Sequence, residues 1–430
     1  MTRQQKANKR HAVWQRRLRV ARLAREQLAL SLHPPRATLH PACGLLPHAP
    51  PATRLAVFGT PRTIRGSRTA RPRMERMRIA VFCPNWVGDA VMATPALRAL
   101  REHFVDASIT AVLKPYVAGI LEGSPWFDRQ LLHEGGFTSP RGWRAIAASL
   151  RHLRSDVAVL FTNSFRSALI AWLGRCKRRI GYVRSSRGLL LTERLHFPTG
   201  PDGKRIPSPA IDSYHRLVEQ LGCPRPSHRM ELFTSAADEN AADRVWERFD
   251  LGRFAEVICL NPGAAFGSAK QWPAEYFASL ARELVDRRGS GVLMLCGPGE
   301  QGLARGIVRD AARPGVCSLA DQPLSLGLTK ACVRRCDLLI TTDSGPRHFA
   351  AAFDRPVVSL FGPTHIAWTE TYHPKAVHMQ VKVDCGPCQL RVCPLDHRCM
   401  KRLGPSDVFS TSAELLRRFP PGSQRGRRAG

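Results

Sequence analysis

The chain has 430 residues, 43% of them apolar, and a formal charge of +31. That length exceeds one ordinary core and calls for two domains plus extra sequence. No stretch reaches the roughly 18–20 uninterrupted apolar residues of a membrane span, and the charge points to a polyanionic partner such as nucleic acid, anionic lipid or a phosphorylated glycan.

The charge is unevenly placed. Residues 1–76 carry 17 Lys and Arg against only Glu26 and Glu75. Residues 11–33 fit a basic amphipathic helix around Trp14, Leu18, Val20, Leu23 and Leu28. Residues 34–76 are rich in Pro, Arg, Ala and His and have no period. One reading is a targeting or membrane-surface segment. The preferred one is a disordered extension, or a start assigned too far upstream, because apolar patterning begins abruptly at Met77. The N-terminus lacks the compact apolar run and small-residue cleavage site of a secretory signal. Cys83, Cys259 and Cys296 sit singly in apolar runs and read as reduced, buried thiols. The expected setting is therefore cytoplasmic.

From Met77 the rhythm is strand, loop, helix. Arg78–Cys83 reads as a strand, Pro84–Asp89 as a glycine-containing loop and Ala90–His103 as a helix. Strands follow at Ala107–Leu113 and Val157–Phe161, with a helix through Ser167–Leu173. The rhythm weakens across 196–236. It resumes with a strand at Val257–Leu260, a helix at Pro273–Arg288 and a strand at Val292–Cys296. A helix at Leu324–Arg335 and strands at Asp337–Thr341 and Val357–Phe361 complete it. Alternating strands and helices predict an α/β fold with two parallel sheets. The division is 1–76 as a basic extension, 77–245 and 246–415 as two α/β domains, and 416–430 as a flexible basic tail. Two such domains place a ligand in the cleft at the carboxyl ends of their strands.

Three loops at those strand ends carry polar chemistry. In Pro84-Asn85-Trp86-Val87-Gly88-Asp89, Gly88 permits close approach, and Asp89 is either a helix N-cap or a general base. In Asn261–Pro273, small residues leave backbone N–H groups open to phosphate, and Lys270 adds a point charge. In Asp343-Ser344-Gly345-Pro346-Arg347-His348, Ser344 and Gly345 suit phosphate at a helix start. Asp343 can orient a hydroxyl or a neighbouring cation, and His348 can donate a hydrogen bond. The Pro84–Asp89 loop is not G-x-G-x-x-G, and the Asn261–Pro273 loop is not a Walker A loop.

These segments, in this order, resemble glycosyltransferase family 9, the ADP-heptose:lipopolysaccharide heptosyltransferases, with the heptosyltransferase II group the nearer match. The signatures are Met77-Arg78-Ile79 leading to Pro84–Asp89, the Lys270-x-Trp272-Pro273 loop, and Thr342–His348 with Phe361-Gly362-Pro363-Thr364 downstream. The likeness covers about residues 77–415. It implies a GT-B fold, an acceptor-binding first domain and a second domain that binds ADP-heptose. It also implies inverting transfer without an obligatory catalytic metal. Asp89 takes the place of the catalytic base and Lys270 that of the diphosphate-binding lysine. Asp343, Ser344, Gly345 and His348 match the donor loop. Glu300, in Gly297-Pro298-Gly299-Glu300, matches a ribose-binding acid. The implied acceptor is a lipid A–Kdo type molecule at the inner membrane surface, where the protein would be peripheral.

Cys385, Cys388, Cys393 and Cys399 form a candidate structural zinc site, with a loop of reduced thiols as the alternative. Two other functions fit parts of the sequence. A GT-B nucleotide-sugar epimerase needs further acid/base groups near the sugar. A basic nucleic-acid-binding protein needs a recognition motif, and the sequence has none, so no nucleic-acid partner is expected.

Overall fold

The computed structural model describes residues 76–133 and 140–421. The readings made for residues 1–75 and 422–430 lie outside them. Both sheets belong to one unit, Pro72–Gly430.

The first lobe is built on six strands: β1 (Arg78–Phe82), β2 (Ser108–Leu113), β3 (Arg129–Leu132), β4 (Val157–Leu160), β5 (Arg178–Tyr182) and β6 (Glu193–Leu195). The second has β7 (Val257–Asn261), β8 (Gly291–Met294), β9 (Val316–Ser318), β10 (Leu338–Thr342), β11 (Val357–Phe361) and β12 (Ala376–Gln380). Every pairing is parallel, in the orders β3-β2-β1-β4-β5-β6 and β12-β11-β10-β7-β8-β9. The two orders are the same Rossmann topology. The strand order reverses between β1 and β4, where Ile79 faces Val157, and between β7 and β10, where Cys259 faces Leu339. Crevices open at such switch points.

Central strands β1, β4, β7, β10 and β11 are buried almost throughout. Helices on both faces leave no strand side for water, which is why these strands read as unbroken apolar runs. Five strands are absent from the sequence reading: β3, β6, β9 and β12 lie at sheet edges, and β5 lies one place in from an edge. Edge strands such as β3 and β12 are half-exposed and carry polar residues.

Two helix readings change. The helix expected over Ala90–His103 is two helices, Val87–Met92 and Thr94–His103. Pro95 has no N–H for the Val91 carbonyl, which instead accepts from the Thr94 hydroxyl at 2.8 Å. The last helix runs Pro405–Arg418 with Leu415 and Leu416 buried, so residues 416–418 belong to the fold rather than to a tail. In the stretch of weakened rhythm a further helix forms, Ala210–Glu219, burying Ile211, Tyr214, His215, Leu217 and Val218.

The lobes are tied by Lys330, which is fully buried on the Leu326–Arg335 helix of the second lobe. Its Nζ donates to the carbonyls of Gly119 at 3.0 Å and Phe233 at 2.8 Å in the first lobe. Asp238 lies 3.7 Å from the same nitrogen. Burying an ammonium is costly unless its donors are satisfied, so this contact fixes where the lobes meet.

Candidate functional site

Asp89 is set by the loop after β1. Trp86, with extended backbone, is the N-cap residue of the Val87–Met92 helix and makes no side-chain cap bond; Asp89 follows in the first turn. The capping role is thereby excluded, because the acid enters the helix three residues too late. Its carboxyl keeps an opening onto the cleft but is otherwise enclosed by protein. Burial pushes its pKa up to about 6, against the lowering effects of a hydrogen bond from the Tyr214 hydroxyl and the charge of Lys270. Tyr214 comes from the Ala210–Glu219 helix and is itself buried.

Lys270 lies in the loop that leaves β7. Trp272, two residues on, is buried; its indole donates to the Leu403 carbonyl at 2.8 Å, and its ring meets Phe277 edge-on at 4.8 Å. The tryptophan anchors the loop to the core, and the lysine extends towards β10. There Lys270 Nζ pairs with Asp343 Oδ2 at 2.5 Å. Arg347 reaches the other carboxylate oxygen at 3.2 Å, and the Thr364 hydroxyl donates to Oδ2 at 2.7 Å. Burial alone would raise the Asp343 pKa, but the charges of Lys270 and Arg347, with hydrogen bonds from Lys270 and Thr364, bring it down to about 2.

The same loops lock one another. Asn261 Nδ2 donates to the Ser344 hydroxyl at 2.9 Å and to Thr341 Oγ1 at 3.0 Å. The Thr342 hydroxyl donates to the Gly263 carbonyl at 2.5 Å. Glu300, entering the Gln301–Ala311 helix after β8, accepts from the Gly297 N–H at 2.9 Å. Its carboxylate lies against Gly263.

Across the cleft the lobes touch through glycines. A Cβ on Gly88 would lie 2.6 Å from His348 Cδ2, and one on Gly345 would lie 2.8 Å from Val87 Cβ. Both positions need the absence of a side chain for the β1 and β10 loops to close on each other. His348 is buried, and its Nδ1 has no hydrogen-bond partner. Burial, with the charge of Arg347, holds its pKa well below the usual histidine range, so the imidazole is neutral.

These residues converge. Asp89, Lys270, Glu300, Asp343, Ser344, Gly345 and His348 all line one cavity of about 490 Å³ between the lobes. That size suits a small-molecule ligand. Two contributors were not legible in advance. Tyr214 lies in the region of weak rhythm, although the spacing of Ile211, Tyr214, Leu217 and Val218 was a usable helical signal. Arg391 enters the cavity wall from the cysteine-rich segment. That segment packs on the Lys270 loop: the Ala269 N–H donates to the Arg391 carbonyl at 3.0 Å, and His397 Nε2 lies 2.8 Å from the Ala269 carbonyl.

The four cysteines come together at this place. Cys399 is buried, and its pKa is raised by burial and by the nearby Cys393, Cys385 and Cys388 thiols. The one group of three or more His, Cys, Asp or Glu side chains among the described residues with ligand atoms all within 4.8 Å of one another lies elsewhere, at Asp212, His215 and His228. The thiols are more widely spaced than that.

Two Rossmann-type lobes with a cleft between the carboxyl ends of their strands define a GT-B architecture. The model of glycosyltransferase family 9 (heptosyltransferase) matches residues 143–398, and the chain belongs to that family; it is a glycosyltransferase. It is 27% identical over 348 residues to lipooligosaccharide heptosyltransferase 2 of Campylobacter jejuni, covering 79% of this chain and 99% of that one. It is 28% identical over 313 residues to lipopolysaccharide heptosyltransferase 2 of Escherichia coli, covering 70% of this chain and 87% of that one. The solved structure of E. coli ADP-heptose LPS heptosyltransferase II superposes with a TM-score of 0.65 at 25% identity, covering 80% of this chain and 99% of that one.

Proposed function

We propose that the protein transfers heptose from ADP-heptose to a heptosyl or Kdo–lipid A acceptor in lipopolysaccharide inner-core assembly, inverting the anomeric centre. The observation that carries this reading is the convergence of seven residues from four loops of two lobes on one cleft. Asp89, ionised above pH about 6, takes the proton of the acceptor hydroxyl as its oxygen attacks the anomeric carbon. Lys270 and the Ser344–Gly345 turn stabilise the departing ADP. Glu300 binds the ribose, and neutral His348 donates a hydrogen bond to the donor. Asp343 holds Lys270 in place. The transfer step needs no metal.

An anionic acceptor is supported by the excess of 65 Lys and Arg over 34 Asp and Glu. We place the protein at the cytoplasmic face of the inner membrane as a peripheral enzyme. No helix among the described residues is long and apolar enough to cross a membrane, and the +31 charge favours anionic lipid. Structural zinc at Cys385, Cys388, Cys393 and Cys399 is proposed to brace the loop that carries Lys270; to reach a tetrahedral shell the thiols must draw closer together.

The test is a matrix of nucleotide-sugar donors and lipid A–Kdo acceptors with the purified protein, read by mass spectrometry. ADP release with an acceptor heavier by one heptose is expected. Release of an altered nucleotide sugar without ADP would replace transfer by epimerisation.

A further inference from the structure

Three ligand-type side chains meet outside the cleft. Asp212 and His215 stand three residues apart on one face of the Ala210–Glu219 helix. His228 joins them from the segment that follows, and the ligand atoms of all three lie within 4.8 Å of one another. His228 Nε2 is 2.8 Å from Asp212 Oδ1. His215 is fully buried, and neither of its ring nitrogens has a hydrogen-bond partner. A neutral imidazole offers one N–H and one lone pair, so both are left unmet at the centre of the group. Such orphaned buried polar atoms call for an explanation, a water or an ion among them.

The surroundings suit an ion. Tyr372, from the second lobe, donates to Asp212 Oδ2 at 2.8 Å, leaving Oδ1 turned to the histidines. Its ring lies 4.2 Å from that of His228. An outer hydrogen bond of this kind fixes a ligating carboxylate. Arg225 also reaches Asp212 Oδ1, at 3.5 Å, but its side chain is 63% exposed and can swing into solvent. His228 and Tyr372 line a cavity of about 1180 Å³, which gives an ion a way in. That cavity shares no lining residue with the cleft.

We infer that Asp212, His215 and His228 form a site for a divalent transition metal. Two imidazoles and one carboxylate suit zinc, cobalt or iron(II), whereas magnesium and calcium take oxygen ligands. The ion ties the helix that carries Tyr214 to the His228 segment and, through Tyr372, to the second lobe. It sits away from the reacting atoms and acts on the placement of that helix.

The full chain, stripped with EDTA and dialysed, is titrated with cobalt(II) chloride and followed by absorption and by bound-metal analysis. His228→Ala is expected to bind about one equivalent less than the parent, and the absorption it loses has no thiolate-to-metal band. Tyr372→Phe keeps the ring but loses the outer hydrogen bond, and should weaken that equivalent roughly 10–100-fold. Circular dichroism of the metal-free proteins should coincide. Equal stoichiometry and affinity in the parent and His228→Ala would overturn the site. If His228→Ala does not fold, unchanged cobalt affinity in Tyr372→Phe would do so.

Discussion

Nζ of Lys270 lies 2.5 Å from Oδ2 of Asp343 and 3.0 Å from the same residue's carbonyl. The lysine proposed to hold a diphosphate is thus tied to the loop proposed to cradle the same diphosphate. Asp343 is shared, since Arg347 binds its other oxygen and is itself 2% exposed. One buried carboxylate therefore balances two cations.

That arrangement separates two variants. Lys270→Ala removes a cation but leaves Asp343 paired with Arg347, so the fold should persist while ADP affinity and transfer fall. Asp343→Asn takes the contacting carboxylate from both Lys270 and Arg347, and breaking such a buried pair costs about 3–5 kcal/mol. Chemical denaturation should show the larger loss for Asp343→Asn, and calorimetric ADP titration a clear loss for Lys270→Ala. The pH sign follows from the lowered Asp343 pKa of about 2. Its stabilisation is present above the unfolded carboxylate value near ~4 and is lost as pH falls towards 2. Asp343→Asn should therefore flatten the acid limb of a stability–pH curve. Equal stability of the two variants at pH 7 would contradict the shared-carboxylate account.

Much of this was legible in the sequence, for a physical reason. The central strands are buried on both faces, so each reads as an apolar run, and the loop that follows the run marks the cleft. Asp89, Lys270 and Asp343 were found that way. The edge strands were not, because half-exposed strands such as Arg129–Leu132 need no apolar run. Arg178 and Arg179 likewise hid the start of β5. The partners of the site residues were hidden for another reason. Tyr214 meets Asp89, and Arg391 meets the Lys270 loop, only through tertiary packing that no local spacing encodes. The cap reading of Asp89 failed because helix entry is set by Trp86, and a composition argument cannot see which residue turns first.

Gly88→Ala tests the closure of the two loops. Its Cβ would stand 2.6 Å from His348 Cδ2, closer than atoms pack, so the imidazole or the Val87–Met92 helix must move. A displacement of about 1 Å at a reacting centre can cost roughly 10²-fold. Steady-state kinetics should show a fall of that order in kcat/KM, with an unchanged circular dichroism spectrum. Normal turnover would mean that this contact does not hold the active geometry.

The cysteine segment is expected to act on the donor loop through Arg391 and His397. If zinc is bound there, metal analysis should lose about one equivalent in Cys385→Ser, and thermal stability should drop. ADP affinity should fall with it, because the Ala269 N–H and carbonyl rest on that segment. Unaltered metal content, stability and ADP affinity would leave the thiols as a surface loop.

Asp89 makes the sharpest prediction. Its carboxyl is raised to about 6 by burial, while Tyr214 and Lys270 pull the other way. A base must be ionised, so kcat/KM should rise about tenfold per pH unit below 6 and level off above it. Tyr214→Phe removes a hydrogen bond that favours the ionised form, so the acid limb should move to higher pH. A purely structural Tyr214 would lower the plateau without moving the limb. Asp89→Asn keeps the shape and should lose roughly 10²–10⁴-fold in turnover, with ADP binding nearly unchanged. Stability should respond in the opposite sense. The folded pKa lies above the unfolded value, so the proton-linked stabilisation is full below ~4 and is lost as pH rises through 6. At pH 8 the ionised carboxylate is a burden to the fold, and Asp89→Asn should melt no lower than the parent. A folded Asp89→Asn enzyme with near-normal turnover would remove the base from this mechanism.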